Sequence, residues 1–513
     1  MPSRHYILTI LTVSTAGIPK GYDEGGFSAS ITLPSFKSDY NLLPAHWTSN
    51  PSGLANRSAN ITSLGVLGAA FGALALLFLN DRLGRLRAWR LAVLVWATGL
   101  IVQVFASGVY GVLLLGRVWS GLGAGGLTVA GPMFLSEVAG ARTRGRVVGI
   151  YMVVLLTALS LGFFVNYGAS LHMAATRMQY RLVQAVPLIP TGIAFLVSFA
   201  LRDTPRWLIS KDRCEAAKAE LARLRGLDES DPDLLAEFDT IRSQSRIESE
   251  SPNIAATPFW SITHEVFSTP TYRTRFLLVL TMHTVAQWSG GNGITYYITN
   301  IFSYAGISGS STSLISSGAY GVVKLVFTIA FAWWFIDIVG RRRCFIAGLS
   351  LQLVAHIYMA VYMSQQPGSA DNKTASNAAI ASVFVYAVGW SIGLCTIPYI
   401  YGAEVFPTRI RSACYAVLMA VHWFFQFAVV RVTPNMFVSL DVWGAYVFWA
   451  AICAVGLVLL GLWAPETKGV PMEKMDLLFE GPWWRFWKAK LSLSDRKERW
   501  SGWSRQSHRN GVG

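Results

Sequence analysis

The sequence predicts an all-α membrane protein in which twelve spans form two similar six-helix bundles. Three observations carry this prediction. Hydrophobic residues make up 53% and charged residues only 14% of the 513 residues, whereas soluble proteins carry about 25% charged residues. The apolar residues fall into runs of about 20 residues, the length that crosses a bilayer. Short motifs also recur at matching positions in the two halves of the chain.

The predicted spans alternate with short loops, except for one long break after the sixth. They lie at roughly 7–35, 61–79, 89–107, 109–136, 147–170, 182–200, 275–303, 312–336, 344–363, 377–402, 412–436 and 442–463. The break is charged and helix-prone, as expected of linker helices. The predicted domains are an N-terminal bundle (1–201), a cytoplasmic linker (202–274), a C-terminal bundle (275–464) and a cytoplasmic tail (465–513).

The positions of the basic residues predict the orientation of the spans. Loops that follow even-numbered spans are rich in arginine, such as the loop at 82–90, and cytoplasmic loops carry the excess of Lys and Arg. Both termini are therefore predicted to be cytoplasmic. The N-x-S/T sequons at Asn56, Asn60 and Asn372 fall in loops that this scheme places outside.

Several functions are disfavoured by the sequence. The five cysteines are scattered without a CxxC pair, which predicts neither a disulfide framework nor a zinc site. No HExxH, Walker loop or nucleophile–His–acid arrangement points to an enzyme. The basic residues that give the net charge of +15 flank the spans. We therefore predict no enzymatic activity, cofactor or metal, no nucleic-acid partner and no obligate protein partner.

An internal repeat relates the two halves. The stretch DRLGR at 81–85 follows span 2, and DIVGR at 337–341 follows span 8, 256 residues later. Glu137 ends span 4 and Glu404 ends span 10, each followed by basic residues. Parallel repeats of this kind place a solute site near the midplane, between the halves.

The chain resembles the sugar porter family of the major facilitator superfamily, and its fungal members in particular, over nearly its whole length. The matching stretches are GYDEGG (21–26), DRLGR (81–85), GRVWSGLGAGG (116–126), SEVAGARTRG (136–145), TPRWL (204–208), QWSGGNGITYY (287–297), DIVGRRR (337–343), GAEVFPTRIRS (402–412) and PETKG (465–469). The resemblance implies the major facilitator fold and transport of a small solute by alternating access.

The same resemblance implies that charged residues at the cytoplasmic helix ends form a gate. They would pair when that side is closed and separate when it opens, which biases a two-state equilibrium. The alternative is that the arginines only set topology. The predicted gating residues are Asp81, Arg85, Glu137, Arg144, Asp337, Arg341, Glu404 and Arg409.

Asp23 and Arg117 are predicted to lie at similar depth in the outer half of the membrane. Asp23 is about 26 Å from the inner start of span 1, and Arg117 is about 30 Å from Glu137, at 1.5 Å per residue. The resemblance implies that the pair takes up the coupling proton. Lys20 lies near enough to pair with either Glu24 or Asp23, and a lysine beside Asp23 would hinder its protonation.

A pocket for a sugar needs amides, hydroxyls and an aromatic surface. Span 7 offers these groups beside three glycines that would break the helix, and broken helices line cavities. For a lone aromatic such as Tyr297, helix packing is the alternative. The predicted pocket residues are Gln287, Asn292, Tyr296, Tyr297, Lys324, Tyr399, His422, Trp423 and Gln426.

Because of Lys324, the sequence leaves two classes of transported solute possible. It lies about 20 Å from Asp337, near mid-membrane, where a buried ammonium needs an anion. The first hypothesis is a monosaccharide porter that is coupled to protons, in the plasma membrane. The second is the same machinery with a sugar-like acid such as quinate, whose carboxylate Lys324 binds. A third, from another class, is a nutrient sensor that does not transport.

Overall fold

The structure, a computed structural model, describes residues 3–140, 144–250, 259–307, 309–335, 338–365, 373–406, 408–468, 478–479, 484 and 486. Within these ranges the chain is helical, with turns and no strand. The predicted fold class is confirmed.

Ten helical segments of the described chain are long and apolar enough to cross a membrane, and they match predicted spans 2–6 and 8–12. A capping side chain begins span 2: Asn50 Oδ1 accepts a hydrogen bond from Gly53 N–H. The segments are Pro51–Leu76, Arg85–Val104, Tyr110–Val138, Arg146–His172, Arg177–Ser198, Ser311–Trp334, Arg341–Ser364, Lys373–Gly402, Val417–Ser439 and Asp441–Trp463.

Spans 1 and 7 are broken into shorter pieces. Span 1 consists of helices Arg4–Ser14, Gly17–Tyr22 and Ser28–Ser30, with a π-helical turn at Asp23–Phe27. Span 7 consists of Pro270–Trp288, Gly291–Tyr296 and Ile298–Tyr304. The first break in span 7 falls at Gly290, whose φ of +94° is a left-handed conformation that glycine adopts without strain.

Span 1 lies directly against span 5, because glycines on span 1 leave no side chain in the way. A Cβ built on Gly21 or Gly25 would overlap the carbonyl oxygen of Leu155 or Leu159. Small residues allow such close approach between membrane helices. This contact sets the rotation of span 1 and so the directions of its charged side chains.

The two halves meet through span 2 against span 11 and span 5 against span 8. The rings of Phe71 and Phe424 pack edge to face with centroids 5.9 Å apart. At the end of the bundle away from the linker, Asn56 Oδ1 accepts from Arg431 Nη1 at 3.1 Å and from Asn435 Nδ2 at 3.0 Å.

The predicted location of two sequons is wrong. Asn56 and Asn60 lie inside the helix Pro51–Leu83 rather than in a loop, because the helix begins two to three turns before its apolar run. Hydropathy does not detect this helix start, because the first turns are polar (LANRSANITS). Asn372 lies outside the described residues.

Short helices occupy the predicted linker: Pro205–Ser210, Cys214–Arg225, Pro232–Glu250 and Phe259–Ser268. They contact the start of span 1, where His5 Nε2 lies 3.0 Å from Glu220 Oε1. They also contact the end of span 4, where Arg225 Nη1 donates to Val138 O. The domain boundaries stay a prediction, and most of the predicted tail lies outside the described residues.

Candidate functional site

Asp23 and Arg117 form a bidentate ion pair in the N-terminal half. Arg117 Nη1 donates to Asp23 Oδ1, and Nη2 donates to Oδ2 at 3.2 Å. Arg117 also donates to the carbonyl oxygens of Ile61 and Thr62 and lies against the ring of Phe27. The Arg117 side chain is 2% exposed and the Asp23 side chain 24% exposed, so water reaches the carboxylate and not the guanidinium. This contact agrees with the prediction that Asp23 and Arg117 lie at similar depth.

The tyrosines of span 7 connect the two halves. The Tyr296 hydroxyl donates to Asp23 Oδ2 at 2.8 Å. The Tyr297 hydroxyl lies 2.7 Å from Thr62 Oγ1 and 3.2 Å from the carbonyl oxygen of Val430. Both side chains are buried. One polar contact from span 7 therefore ends on the ion pair itself.

The structure decides between the two partners that the sequence allows for Lys20. Its Nζ lies 3.8 Å from Glu24 Oε1 and 4.2 Å from the centroid of the Trp423 ring. Gln426 Nε2 approaches the same Glu24 oxygen at 3.5 Å. Lys20 is therefore paired with Glu24, and Asp23 keeps Arg117.

A cavity of about 30 Å³ opens beside these groups, which is room for about one water molecule in this conformation. Of the residues predicted to bind solute, Tyr296 and Trp423 lie on its wall, together with both members of the Asp23–Arg117 pair and Lys20. The rest of its lining comes from spans 1 to 4, where small residues such as Gly65 and Gly121 make room.

Lys324 is buried, at 1% exposure. Its Nζ donates to Thr295 Oγ1 at 3.1 Å and lies 4.0 Å from the centroid of the Trp390 ring. No carboxylate of the described residues lies within ion-pair distance of it. An ammonium has three donors, so the one hydrogen bond leaves this cation without a counter-charge in direct contact.

Gln287, His422 and Tyr399 form a buried hydrogen-bonded cluster. Gln287 Nε2 lies 3.0 Å from His422 Nε2, and the Tyr399 hydroxyl lies 2.9 Å from the same nitrogen. Asn292 Nδ2 approaches Gln287 Oε1 at 3.5 Å, which fits an amide whose nitrogen faces His422. Four of the predicted pocket residues are thus brought together by spans 7, 10 and 11.

His283 completes this cluster, and the sequence reasoning missed it. Its Nδ1 lies 3.1 Å from His422 Nδ1, and its Nε2 is buried without a hydrogen-bond partner among the described residues. Because His422 Nε2 accepts from Gln287, the proton of neutral His422 lies on Nδ1 and points at His283. The signal available in the sequence was its place one helical turn before Gln287.

Only part of the predicted gate falls on described side chains. Arg85 Nε donates to Glu137 Oε1 at 3.0 Å, and Thr204 Oγ1 donates to Glu137 Oε2. Arg341 lies at the start of its helix, where its backbone N–H donates to Glu466 Oε1 at 3.0 Å. Asp337 lies outside the described residues. The structure does not describe the side chains of the other members: Asp81, Arg144, Glu404 and Arg409.

Two acids that the sequence reasoning did not single out occupy matching places in the halves. Asp203 Oδ1 accepts from Leu86 N–H at 2.8 Å, and Glu466 accepts from the backbone N–H groups of Arg341 and Arg342. Each acid caps the helix that follows a DRLGR-type motif, where unpaired N–H groups favour an anion. Burial raises the pKa of the Asp203 carboxyl, against the effect of the Leu86 N–H. The sequence offered one signal for these acids: Asp203 directly precedes the TPRWL motif, and Glu466 lies within the PETKG motif.

Comparison with known proteins agrees with the motifs. Residues 9–479 match the family described as Sugar (and other) transporter. The chain is 33% identical over 473 residues to a quinate permease of Neurospora africana, covering 90% of this chain and 86% of the relative. It is 32% identical over 474 residues to a quinate permease of Neurospora terricola, with the same coverage.

Solved structures share the fold. The xylose transporter XylE from E. coli in an inward-open conformation matches with a TM-score of 0.75 at 17% identity, covering 93% of this chain and 100% of that chain. The proton:xylose symporter XylE bound to 6-bromo-6-deoxy-D-glucose matches with a TM-score of 0.74 at 19% identity, covering 93% and 99%. Motifs, sequence match and fold lead to one conclusion: the chain belongs to the sugar (and other) transporter family, with the major facilitator fold that its sequence predicts.

Proposed function

We propose that this chain carries a monosaccharide across the plasma membrane by alternating access, coupled to protons and without chemical change to the solute. Both termini face the cytoplasm, and the bilayer and the proton are its other partners. Membership of the sugar (and other) transporter family supports this function. So do the aromatic surfaces of Trp423 and Tyr296, which lie beside charged groups on the cavity wall.

The observation that carries proton coupling is the contact between the two halves at Asp23. Its carboxylate is held by Arg117 from its own half and by the Tyr296 hydroxyl from the other. Protonation of Asp23 would weaken both contacts, since each depends on the carboxylate charge. A proton at this position would therefore change how strongly the halves are held together.

Uptake by proteoliposomes with an imposed proton gradient tests this proposal. Labelled glucose, xylose and quinate would be offered with and without an uncoupler. We expect accumulation of a sugar that the uncoupler abolishes. Asp23→Asn should lose accumulation but retain exchange of labelled for unlabelled solute, because the amide stays neutral throughout the cycle. Accumulation by Asp23→Asn equal to the unaltered protein would contradict coupling at this residue.

A second candidate is a sugar-like acid, with the same fold and cycle. It is favoured by the buried Lys324 ammonium, which has no carboxylate in contact, and by the quinate permeases among the relatives. A solute carboxylate would supply the missing counter-charge.

Lys324→Asn tests this second candidate, with the exposed Lys373→Asn as a control that removes the same charge elsewhere. If the solute is an acid bound by Lys324, quinate uptake should fall at least about tenfold in the first variant, the loss expected for a buried charged contact. It should be unchanged in the second. Unchanged quinate uptake in Lys324→Asn would exclude this role.

A further inference from the structure

A second cavity lies beside Asp23, inside the N-terminal half. Its volume is about 20 Å³, and one water molecule needs about 10–15 Å³. It shares Asp23 and Arg117 with the cavity described above, but every described residue on its wall belongs to spans 1, 3, 4 or 6. The first cavity also contacts Tyr296 and Trp423 of the C-terminal half. Asp23 is therefore flanked by two cavities, and only one of them faces the other half.

Two buried glutamines on the wall of this second cavity each have an amide oxygen that lacks a partner. Gln103 of span 3 is 1% exposed and Gln184 of span 6 is 2% exposed. In each, Oε1 accepts no hydrogen bond from the part of the chain that the structure describes. Buried acceptors in native proteins are usually satisfied, and an ordered water commonly supplies the donor.

Neighbouring groups fix the orientation of both amides. Gln103 Nε2 donates to the carbonyl oxygen of Gly116 at 3.1 Å, and a carbonyl oxygen can only accept, so this side of the amide is the nitrogen. Gln184 Nε2 donates to Ser30 Oγ at 3.3 Å, while the Ser30 hydroxyl donates to Phe27 O at 2.8 Å. Because the hydroxyl proton of Ser30 is used there, the Gln184 atom that faces it is also the nitrogen. Exchanging the nitrogen and oxygen of either amide would therefore not satisfy its oxygen.

We propose that Gln103 and Gln184 hold a water molecule that delivers the proton to Asp23 from within the N-terminal half, along a route separate from that of the solute. This inference rests on the proposed proton coupling and adds the path of the proton. The two glutamines are positioning residues, because they act on Asp23 through the water. A solute in the first cavity does not block this route.

The transfer itself is a simple exchange of one O–H bond for another. A water that carries an excess proton has three O–H donors, which match the oxygens of Gln103, Gln184 and Asp23. One of its O–H bonds breaks as an O–H bond forms on the Asp23 carboxylate, and a neutral water stays on the two glutamines. Gln184 lies seven residues after Arg177, where span 6 begins at the end away from the linker, or about 10 Å at 1.5 Å per residue. The proton reaches the water from that end.

Gln184→Leu tests this route, because leucine keeps an uncharged side chain of similar size without the acceptor. Gln179→Leu is the matched control, since Gln179 is also 2% exposed on span 6 but is not on the wall of either cavity. The assay uses proteoliposomes with an imposed proton gradient and labelled glucose or xylose, whichever the unaltered protein accumulates. We expect Gln184→Leu to lower initial uptake at least about tenfold and exchange of labelled for unlabelled sugar less than about threefold, because exchange needs no proton delivery. Gln179→Leu should change both rates less than about threefold.

The solvent deuterium isotope effect on uptake distinguishes slow proton delivery from a structural defect. It should be larger for Gln184→Leu than for the unaltered protein or Gln179→Leu, because proton transfer then limits the rate. Equal uptake by the two leucine variants, or slower uptake by Gln184→Leu with an unchanged isotope effect, would overturn the role of the water.

A high-resolution density map of the unaltered protein decides the matter if Gln184→Leu does not fold. A water within about 3.2 Å of both glutamine oxygens is expected, and a cavity without one would overturn the proposal. These failures leave the proposed function intact as long as the uncoupler abolishes accumulation by the unaltered protein. Accumulation that persists with the uncoupler would instead refute the proton coupling itself.

Discussion

Site residues could be predicted where the level of a residue along its helix is enough to suggest its neighbour. Asp23 and Arg117 are 94 positions apart; counting residues puts them at a similar depth, the resemblance implies that they pair, and the structure shows the pair. Counting gives the level in the membrane but not the direction of a side chain. The choice of Glu24 over Asp23 as the partner of Lys20 depends on that direction and therefore required the structure.

His283 shows what depth counting cannot find. Its contact with His422 joins spans 7 and 11 at positions 139 apart, and both rings are buried. The sequence places His283 one helical turn before Gln287, but it does not show which way the ring points. Their meeting follows from the packing angle between helices, which sequence spacing alone does not define.

We expect His283→Phe to raise the KM for the transported solute about fivefold while Vmax changes little. The phenyl ring fills the space but offers no acceptor to His422 Nδ1, so the orientation of Gln287 is no longer fixed; one lost buried hydrogen bond is worth about 1 kcal/mol. His283→Asn places an acceptor near the Nδ1 position and should restore most of the affinity. Initial uptake rates over a range of solute concentrations measure both constants. Equal KM values for the two variants would contradict this positioning role.

At the scale of elements, hydropathy located ten spans because they are long apolar segments. It did so even where the helix is interrupted, as in spans 6 and 10. Spans 1 and 7 were also predicted, although each is interrupted and carries buried polar side chains. The glycines at 290, 291 and 293 predicted the break in span 7. No sequence pattern predicted the π-helical turn of span 1, because it changes the hydrogen-bonding register without a residue type that marks it.

Close packing of span 1 on span 5 gives a prediction at this scale. Gly21→Ala should lower the thermal unfolding midpoint in detergent, because the added methyl overlaps the Leu155 carbonyl oxygen and overpacking costs about 1–3 kcal/mol. Gly168→Ala, on span 5, adds the same methyl where nothing lies within 4 Å and should leave the midpoint unchanged or slightly higher. Equal midpoints for Gly21→Ala and the unaltered protein would mean that span 1 is free to move away from span 5.

At the scale of the whole molecule, the two halves are held together at the end away from the linker by side chains that the sequence did not single out as partners. Arg431 and Asn435 of span 11 both donate to Asn56 of span 2. The repeat predicted two halves and a solute site between them. It did not predict which residues hold them together, because these contacts break the symmetry of the repeat.

Arg431→Ala should shift the molecule toward opening at this end, since a charged hydrogen bond at a partly exposed site contributes about 1 kcal/mol, a factor of about five in the equilibrium. A cysteine placed at the buried Thr62 should then react about fivefold faster with a membrane-impermeant maleimide. Arg57→Ala is the control, because Arg57 donates to Tyr40 O within the same half. Labelling that is equally fast in the two variants would show that the Asn56 contact does not hold the halves.

The π-helical turn at Asp23–Phe27 has a consequence for the origin of the site. Such a turn holds one residue more than an α-helical turn. Because the wider turn absorbs that residue, Lys20 before it and Ser28 after it keep the faces that an uninterrupted helix would give them. A single added codon is thus enough to place a second carboxylate in this turn, Glu24 beside Asp23, without rotating the rest of span 1.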